Sequence, residues 1–212
     1  MSKVEYFIGG AGDKGDLSAK ISGATNIMET VSINRARTSV DIACIYRGHE
    51  QKKEILSEIK KQWKSGKYKS IRITGHSWGG QAAMDLAQDL FNSSIPVDEL
   101  ITLDPVSMFP FGKVYVARWV NIYIKQSFTD KTIGKIPVLG NVLNSIITLP
   151  TLATDNGKSG GYIANVGGQL GAENGAHNIE IDVPHADAQT MYTRARREII
   201  NAPLGPRVIG FK

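Results

Sequence analysis

Apolar residues recur along the chain with two alternating spacings, one typical of short strands and one typical of amphipathic helices. In residues 50–63, for example, the helical spacing is kept by Ile55, Leu56, Ile59 and Trp63. The pattern predicts strands at residues 4–8, 39–46, 70–74, 97–103, 114–124 and 179–183. It predicts helices at residues 16–30, 50–63, 81–91 and 186–200. Because strands alternate with helices, we expect an α/β fold in which a mostly parallel sheet carries helices on both faces.

The segment 125–178 interrupts this alternation with glycines and prolines. We expect residues 1–212 to form one domain, since a chain of 212 residues lies within the usual length of a single domain. Inside the segment, apolar residues between 136 and 147 keep a helical spacing. Two interpretations stay open: a core helix or irregular excursion packed on the domain, or a lid that forms a wall of a substrate cleft.

Composition excludes several classes of protein. Apolar residues make up 42% of the chain and charged residues 21%, which excludes disorder or a coiled coil as the main architecture. The single cysteine, Cys44, excludes an internal disulfide framework and a cysteine-based zinc site. Cys44 lies in an apolar run, so we expect a buried core thiol.

Charge and hydropathy bear on where the protein acts. No apolar run reaches the ~18 residues of a membrane span, and charges interrupt the N-terminus too early for a secretory signal. We expect a soluble protein, either cytoplasmic or exported by a signal-independent route. The net charge is +5, and lysines crowd residues 52–69 with glutamates between them. A solvated helix face is the favoured interpretation, transient contact with a membrane surface stays open, and no nucleic-acid partner is expected.

The strongest chemical signal is the G-x-S-x-G pattern formed by Gly75, Ser77 and Gly79. A predicted strand precedes this pattern and a predicted helix follows it, which is the setting of a nucleophile elbow. The serine of an elbow stands at the apex of a strained turn, so the positions two residues before and after it must lack a side chain. We therefore expect Ser77 to be a catalytic nucleophile.

A serine nucleophile needs a histidine base and an acid that orients the base. Asp104 follows the predicted strand 97–103, at the sheet edge where parallel-sheet sites form, and is the predicted acid. The expected chain order of serine, acid and histidine leaves two candidate bases. His185, between the last strand and the last helix, is the predicted base, and His177 is the alternative. His76, inside the elbow, is expected to point elsewhere.

An oxyanion hole needs two backbone N–H groups directed at the developing charge. We expect Trp78, after the nucleophile, to supply one, and Gly10 or Ala11, in the glycine-rich loop after the first strand, to supply the other. Gly10, Gly12 and Gly15 also form a literal G-x-G-x-x-G pattern, so dinucleotide binding is an alternative. A dinucleotide site needs an acid at the end of the second strand to bind the ribose. The only nearby acid, Asp41, lies at the start of the predicted strand 39–46, which disfavours that alternative.

Four segments together resemble the α/β-hydrolase superfamily, specifically its small lipase-like and esterase-like members: residues 7–12, 75–80, 103–106 and 183–187. The resemblance implies a Ser-Asp-His triad, a parallel-dominated sheet and hydrolysis of a carboxylic ester or a close relative. The sequence departs from this pattern at its start, where it begins almost at the first predicted parallel strand, so we expect a small sheet without the antiparallel strands that open larger members.

The expected substrate is an ester or a lipid, and the expected mechanism needs neither a metal nor a cofactor. Met108, Phe109 and Phe111 follow the predicted acid and are candidates for the wall of an acyl pocket, although they would also fit a plain core. The alternative from another class of function is a binding protein on a hydrolase fold that has lost its activity.

Overall fold

The computed structural model describes residues 2–10, 13, 26–107, 112–124, 170 and 175–205, and the backbone of residues 165 and 166. Its strands are β1 (Ser2–Gly9), β2 (Ile42–Gly48), β3 (Tyr68–His76), β4 (Glu99–Leu103), β5 (Val106–Ser107), β6 (Arg118–Ile124), β7 (Asn165–Val166) and β8 (His177–Ile181). Its α-helices are α1 (Ile27–Thr38), α2 (Lys52–Lys64), α3 (Trp78–Asn92) and α4 (Ala188–Glu198). None of these helices combines the length and apolar character that crossing a membrane would require.

Six strands form one sheet in the order β2-β1-β3-β4-β6-β8, and each neighbouring pair is parallel. The order reverses between β1 and β3, because the chain first moves outward to β2 and then returns to the other side of β1. In open parallel sheets, a crevice forms at such a reversal, outside the carboxyl ends of the strands. The predicted parallel sheet is confirmed, and it places the ends of β1, β3 and β4 around this point.

Helices cover both faces of the sheet, as predicted. Along β1, Val4, Tyr6 and Ile8 pack with α2 and α3 on one face, and Phe7 packs with α1 and α4 on the other. None of these four side chains has exposed surface. Burial of each one stabilises the fold by about 1.5–3 kcal/mol, so β1 is held by apolar packing on both sides.

The buried carboxylate of Glu5 lies on the face of the sheet that α1 and α4 cover. Glu5, on β1, accepts hydrogen bonds from Thr74 Oγ1 at 3.0 Å and from Tyr192 OH at 2.9 Å. The Arg35 guanidinium donates to its other oxygen at 3.3 Å. A buried charge is costly unless it is paired and hydrogen-bonded, so these partners tie β1 to β3, α1 and α4.

The helix predicted at residues 16–30 is wrong in its placement. α1 is shifted towards the C-terminus relative to that range, and residues 16–25 lie outside the described part of the chain. The apolar signal of α1 is weak because its buried residues are only Met28, Val31 and Ser32. Part of its contact with the rest of the protein is polar, which hydrophobic periodicity does not detect.

Cys44 is half-buried and is not the fully buried core thiol that the sequence predicts. It lies on β2, an edge strand of the main sheet. Burial and the nearby Glu5 carboxylate raise the pKa of the Cys44 thiol to about 11, so the thiol is protonated at neutral pH.

A short antiparallel pair that the sequence does not predict joins β5 to β7, with Val106 opposite Val166. Close to the start of β8, Asn178 bonds both backbone groups of Leu170. The Leu170 N–H donates to Asn178 Oδ1 at 2.9 Å, and Asn178 Nδ2 donates to the Leu170 carbonyl at 2.6 Å. The chain is therefore fixed at two points near the end of the segment 125–178.

Candidate active site

Ser77 links β3 to α3 in a strained turn. Its φ of 57° and ψ of −128° form a conformation that costs a non-glycine residue about 1–3 kcal/mol. Three backbone hydrogen bonds hold it there. Its N–H donates to the Leu103 carbonyl at 3.1 Å, and its carbonyl accepts from the N–H groups of Gly80 at 2.8 Å and Val106 at 3.0 Å. The serine is thus fixed between the start of α3 and both sides of the turn that follows β4.

Two glycines make room for this turn. A Cβ on Gly75 would lie 2.1 Å from the carbonyl oxygen of Gly79. A Cβ on Gly79 would lie 2.1 Å from the carbonyl oxygen of Ile8. Because no side chain fits at such distances from the backbone, α3 approaches β1 and β3 this closely only with glycine at both positions. The predicted need for glycine on both sides of Ser77 is confirmed.

Gly10 lies beside Ser77, across the point where the strand order reverses. A Cβ on Gly10 would come within 2.8 Å of the Ser77 Cβ and 3.2 Å of its Oγ. Trp78 is the first residue of α3, and N–H groups in the first turn of a helix have no partner within that helix. Backbone groups of Gly10 and Trp78 are therefore both next to the serine. Ala11, the other predicted oxyanion donor, lies outside the described residues.

Asp104 and His185 are joined by a hydrogen bond of 2.5 Å between Asp104 Oδ2 and His185 Nδ1. When the carboxylate accepts this bond, Nδ1 carries the proton and Nε2 is the ring nitrogen left free to accept one. Asp104 has no exposed surface, and its second oxygen accepts from the Ile124 N–H at 3.4 Å. The two oxygens of the carboxylate are thus held by His185 and by the end of β6.

The structure separates the two histidines that the sequence offers as bases. His177 begins β8 opposite Val120, so about 13 Å of strand separates it from the carboxyl end of β8. His185 follows β8 at the same edge as Ser77 and Asp104. In the described part of the chain no hydrogen bond joins the Ser77 hydroxyl to His185, a bond that is often long in unliganded active sites. His185, and not His177, bonds to Asp104 at the edge of the sheet that carries Ser77.

His76 packs against His185, although the sequence predicts that it points elsewhere. Its Nε2 lies 2.7 Å from the backbone carbonyl oxygen of His185, and the two ring centroids are 4.7 Å apart. His76 is only 4% exposed. Burial, together with the neighbouring His185, lowers the pKa of His76 to about 3. No pattern in the sequence signals this contact, because 109 positions separate the two residues.

Asp13 is a second residue whose place the sequence does not reveal. Its buried carboxylate accepts from the Met28 N–H at the start of α1, at 3.3 and 3.4 Å. A Cβ on Gly9 would collide with the same carboxylate, at 2.0 Å. Burial raises the pKa of Asp13. Its carboxylate therefore occupies the N-terminus of α1, the position where a dinucleotide-binding turn holds its pyrophosphate.

The remaining predicted residues lie outside the part of the chain that the structure describes. They are Gly12, Gly15, Met108, Phe109 and Phe111, together with residues 125–164, on which the choice between a lid and an excursion depends. Across the described ranges, no three histidine, cysteine, aspartate or glutamate side chains are grouped as metal ligands would be.

The chain matches no protein-family model and no curated protein.

Proposed function

We propose that the protein is a serine hydrolase of the α/β-hydrolase type, which cleaves carboxylic esters through an acyl-enzyme on Ser77. The observation that carries the proposal is the 2.5 Å bond between the buried Asp104 carboxylate and His185, at the edge of the sheet where the strained Ser77 turn lies. The position of this turn, where the strand order of a parallel sheet reverses, supports it.

In the first step, His185 Nε2 takes the hydroxyl proton of Ser77 while Ser77 Oγ bonds to the carbonyl carbon of the ester. Nε2 is the acceptor because Nδ1 is engaged with Asp104. The buried Asp104 carboxylate holds the ring in this tautomer and stabilises the imidazolium that forms. The carbonyl π electrons move to the oxygen, which becomes an oxyanion.

Backbone N–H groups then stabilise the oxyanion. Trp78 and the loop at Gly10 supply them in this proposal, and each such donor typically contributes ~10²–10³ in turnover. When the tetrahedral intermediate collapses, the C–O bond breaks and the His185 imidazolium gives its proton to the leaving alcohol. A water molecule then gives a proton to His185 as it attacks the acyl carbon, which releases the carboxylic acid and restores the Ser77 hydroxyl.

The substrate class follows from the same reasoning. The apolar residues at positions 108–111, directly after the acid, favour an acyl chain over a small polar ester. We therefore propose a lipid ester as the substrate, which the protein would reach through transient contact with a membrane surface. Dinucleotide binding is disfavoured, because the Asp13 carboxylate at the N-terminus of α1 would repel a pyrophosphate.

A fluorophosphonate probe tests the proposal, since it labels an activated serine. We expect the wild-type protein to be labelled at Ser77 and to hydrolyse p-nitrophenyl esters. Ser77→Ala should lose both properties and keep its fold. Ser65→Ala is the matched control, because Ser65 is an exposed residue at the end of α2 and should leave labelling unchanged.

Two results would count against the proposal. Ester hydrolysis that persists in purified Ser77→Ala protein would remove Ser77 from the reaction. A wild-type protein that binds esters but is neither labelled nor active would favour the alternative of a binding protein that has lost its activity.

A further inference from the structure

We infer that His76 is a positioning residue for His185, because the residue directly before the nucleophile donates a hydrogen bond to the backbone of the base. The catalytic consequence of this inference rests on the proposed function. The structural part of the inference is that His76 orients the His185 loop and ring, and this can be measured even if the protein has no enzymatic activity.

The contact defines the protonation of the His76 ring. A carbonyl oxygen only accepts hydrogen bonds, so the 2.7 Å contact with His185 requires a proton on His76 Nε2. His76 is almost completely buried, and a buried polar group that loses its partner is costly. The bond therefore holds the His185 backbone at a fixed distance from β3.

The loop around His185 has few other backbone anchors among the described residues. The Asp187 N–H donates to the Pro184 carbonyl at 2.9 Å, and the Asp187 side chain caps α4 by accepting from the Thr190 N–H at 3.1 Å. These bonds fix the loop to α4, which lies on one face of the sheet. The bond from His76 fixes it to β3, one peptide bond away from Ser77.

The contact also suits the charge that His185 acquires. In the proposed reaction His185 becomes an imidazolium, and a second positive ring 4.7 Å away would oppose that change. Burial lowers the pKa of His76 to about 3, so His76 packs against His185 as a neutral ring. Among the described residues, two titratable side chains contact the His185 ring, Asp104 and His76.

Two substitutions separate the hydrogen bond from the packing. His76→Phe keeps a ring and removes the donor, while His76→Gln keeps an amide N–H near the position of Nε2. We expect His76→Phe to lower kcat for a p-nitrophenyl ester by about 10²-fold at a nearly unchanged KM, the size of effect typical of a misplaced catalytic group. His76→Gln should recover most of that loss, and His177→Gln, at the other end of β8, should leave kcat unchanged.

Side-chain NMR of the ¹⁵N-labelled wild-type protein gives an independent test. We expect His76 to be the Nε2–H tautomer and to stay neutral at pH 5. In His76→Phe, the low-field Nδ1–H signal of His185, which reports its bond to Asp104, should broaden or shift.

Each outcome decides the inference. A His76 ring in the Nδ1–H tautomer, or one that titrates near 6.5, would overturn it, even if His76→Phe fails to fold. Wild-type kcat in a folded His76→Phe protein would also overturn it. If the wild-type protein is inactive towards the probe but shows the expected NMR signals and their change in His76→Phe, the positioning role stands and the proposed function fails.

Discussion

Replacing His76 with glutamine should change how the stability of the fold depends on pH. The folded protein keeps the buried ring neutral, because burial lowers its pKa from 6.5 to about 3. The unfolded chain binds a proton on this ring below pH 6.5. Between the two values the unfolded state therefore holds more protons, and the free energy of unfolding falls as the pH falls.

The structure sets the size of this effect. A difference of one unit between the pKa values of the folded and unfolded states corresponds to about 1.4 kcal/mol of stability. The difference between 6.5 and about 3 therefore lowers the free energy of unfolding by about 5 kcal/mol when the pH falls through the whole interval. Between pH 7 and pH 5 about 2 kcal/mol of it is lost. His76→Gln has no titrating ring at this position. Its free energy of unfolding should therefore fall by about 2 kcal/mol less than that of the wild type over this interval.

Urea titrations at pH 7 and pH 5, followed by circular dichroism and extrapolated linearly, measure both free energies. The difference between the wild type and His76→Gln removes the pH-dependent contributions that the two proteins share. His177→Gln controls for the removal of a histidine elsewhere, because His177 lies at the N-terminal end of β8. If the wild type and His76→Gln lose equal stability between the two pH values, the ring is not kept neutral by burial.

Three further predictions test the packing and the site. Gly79→Ala should lower the free energy of unfolding by about 3 kcal/mol or more. Gly112→Ala is the control and should change it by less than about 0.5 kcal/mol, because a Cβ at this position would meet no described atom within 4 Å. Equal effects of the two substitutions in denaturant titrations would contradict the close approach of α3. Arg35→Ala should cost about 3 kcal/mol, because it leaves the buried glutamate on β1 without its cation; an unchanged urea midpoint would show that the other hydrogen bonds suffice. His185→Ala should lower ester turnover by orders of magnitude, whereas His177→Ala should leave it unchanged. The reverse ranking would reassign the base.

Prediction from the sequence works best where the backbone itself selects a residue type. Gly75 and Gly79 are predictable because a turn between a strand and a helix leaves no space for a side chain, and the structure shows the colliding carbonyl groups. The meeting of Asp104 with His185 is predictable because both follow parallel strands, whose carboxyl ends share one edge. Strand ends are predicted less well, since pairing with neighbouring strands sets them.

Contacts between distant polar residues were not predictable in the same way. The bond from His76 to the His185 backbone and that from Met28 to Asp13 join residues with no periodic relation. The placement of α1 failed for a related reason, since its attachment includes the ion pair of Arg35 with the glutamate on β1. The pairing of β5 with β7 joins segments of two residues each, too short for any pattern to emerge.

The hydrogen bonds around Ser77 have a mechanical consequence. Because Ser77 bonds to Leu103 and Val106, on either side of Asp104, and the Asp104 N–H donates to the Ile122 carbonyl at 2.7 Å, backbone hydrogen bonds fix the position of Ser77 relative to Asp104. His185, the proposed base, lies on a separate loop, residues 182–187. In the proposed triad, the position of His185 relative to the other two residues therefore depends on the bonds from His76 and Asp104 that attach its loop to the sheet. Because Asp187 in this loop caps the first turn of α4, a displacement of α4 would reach the site through the loop that carries His185.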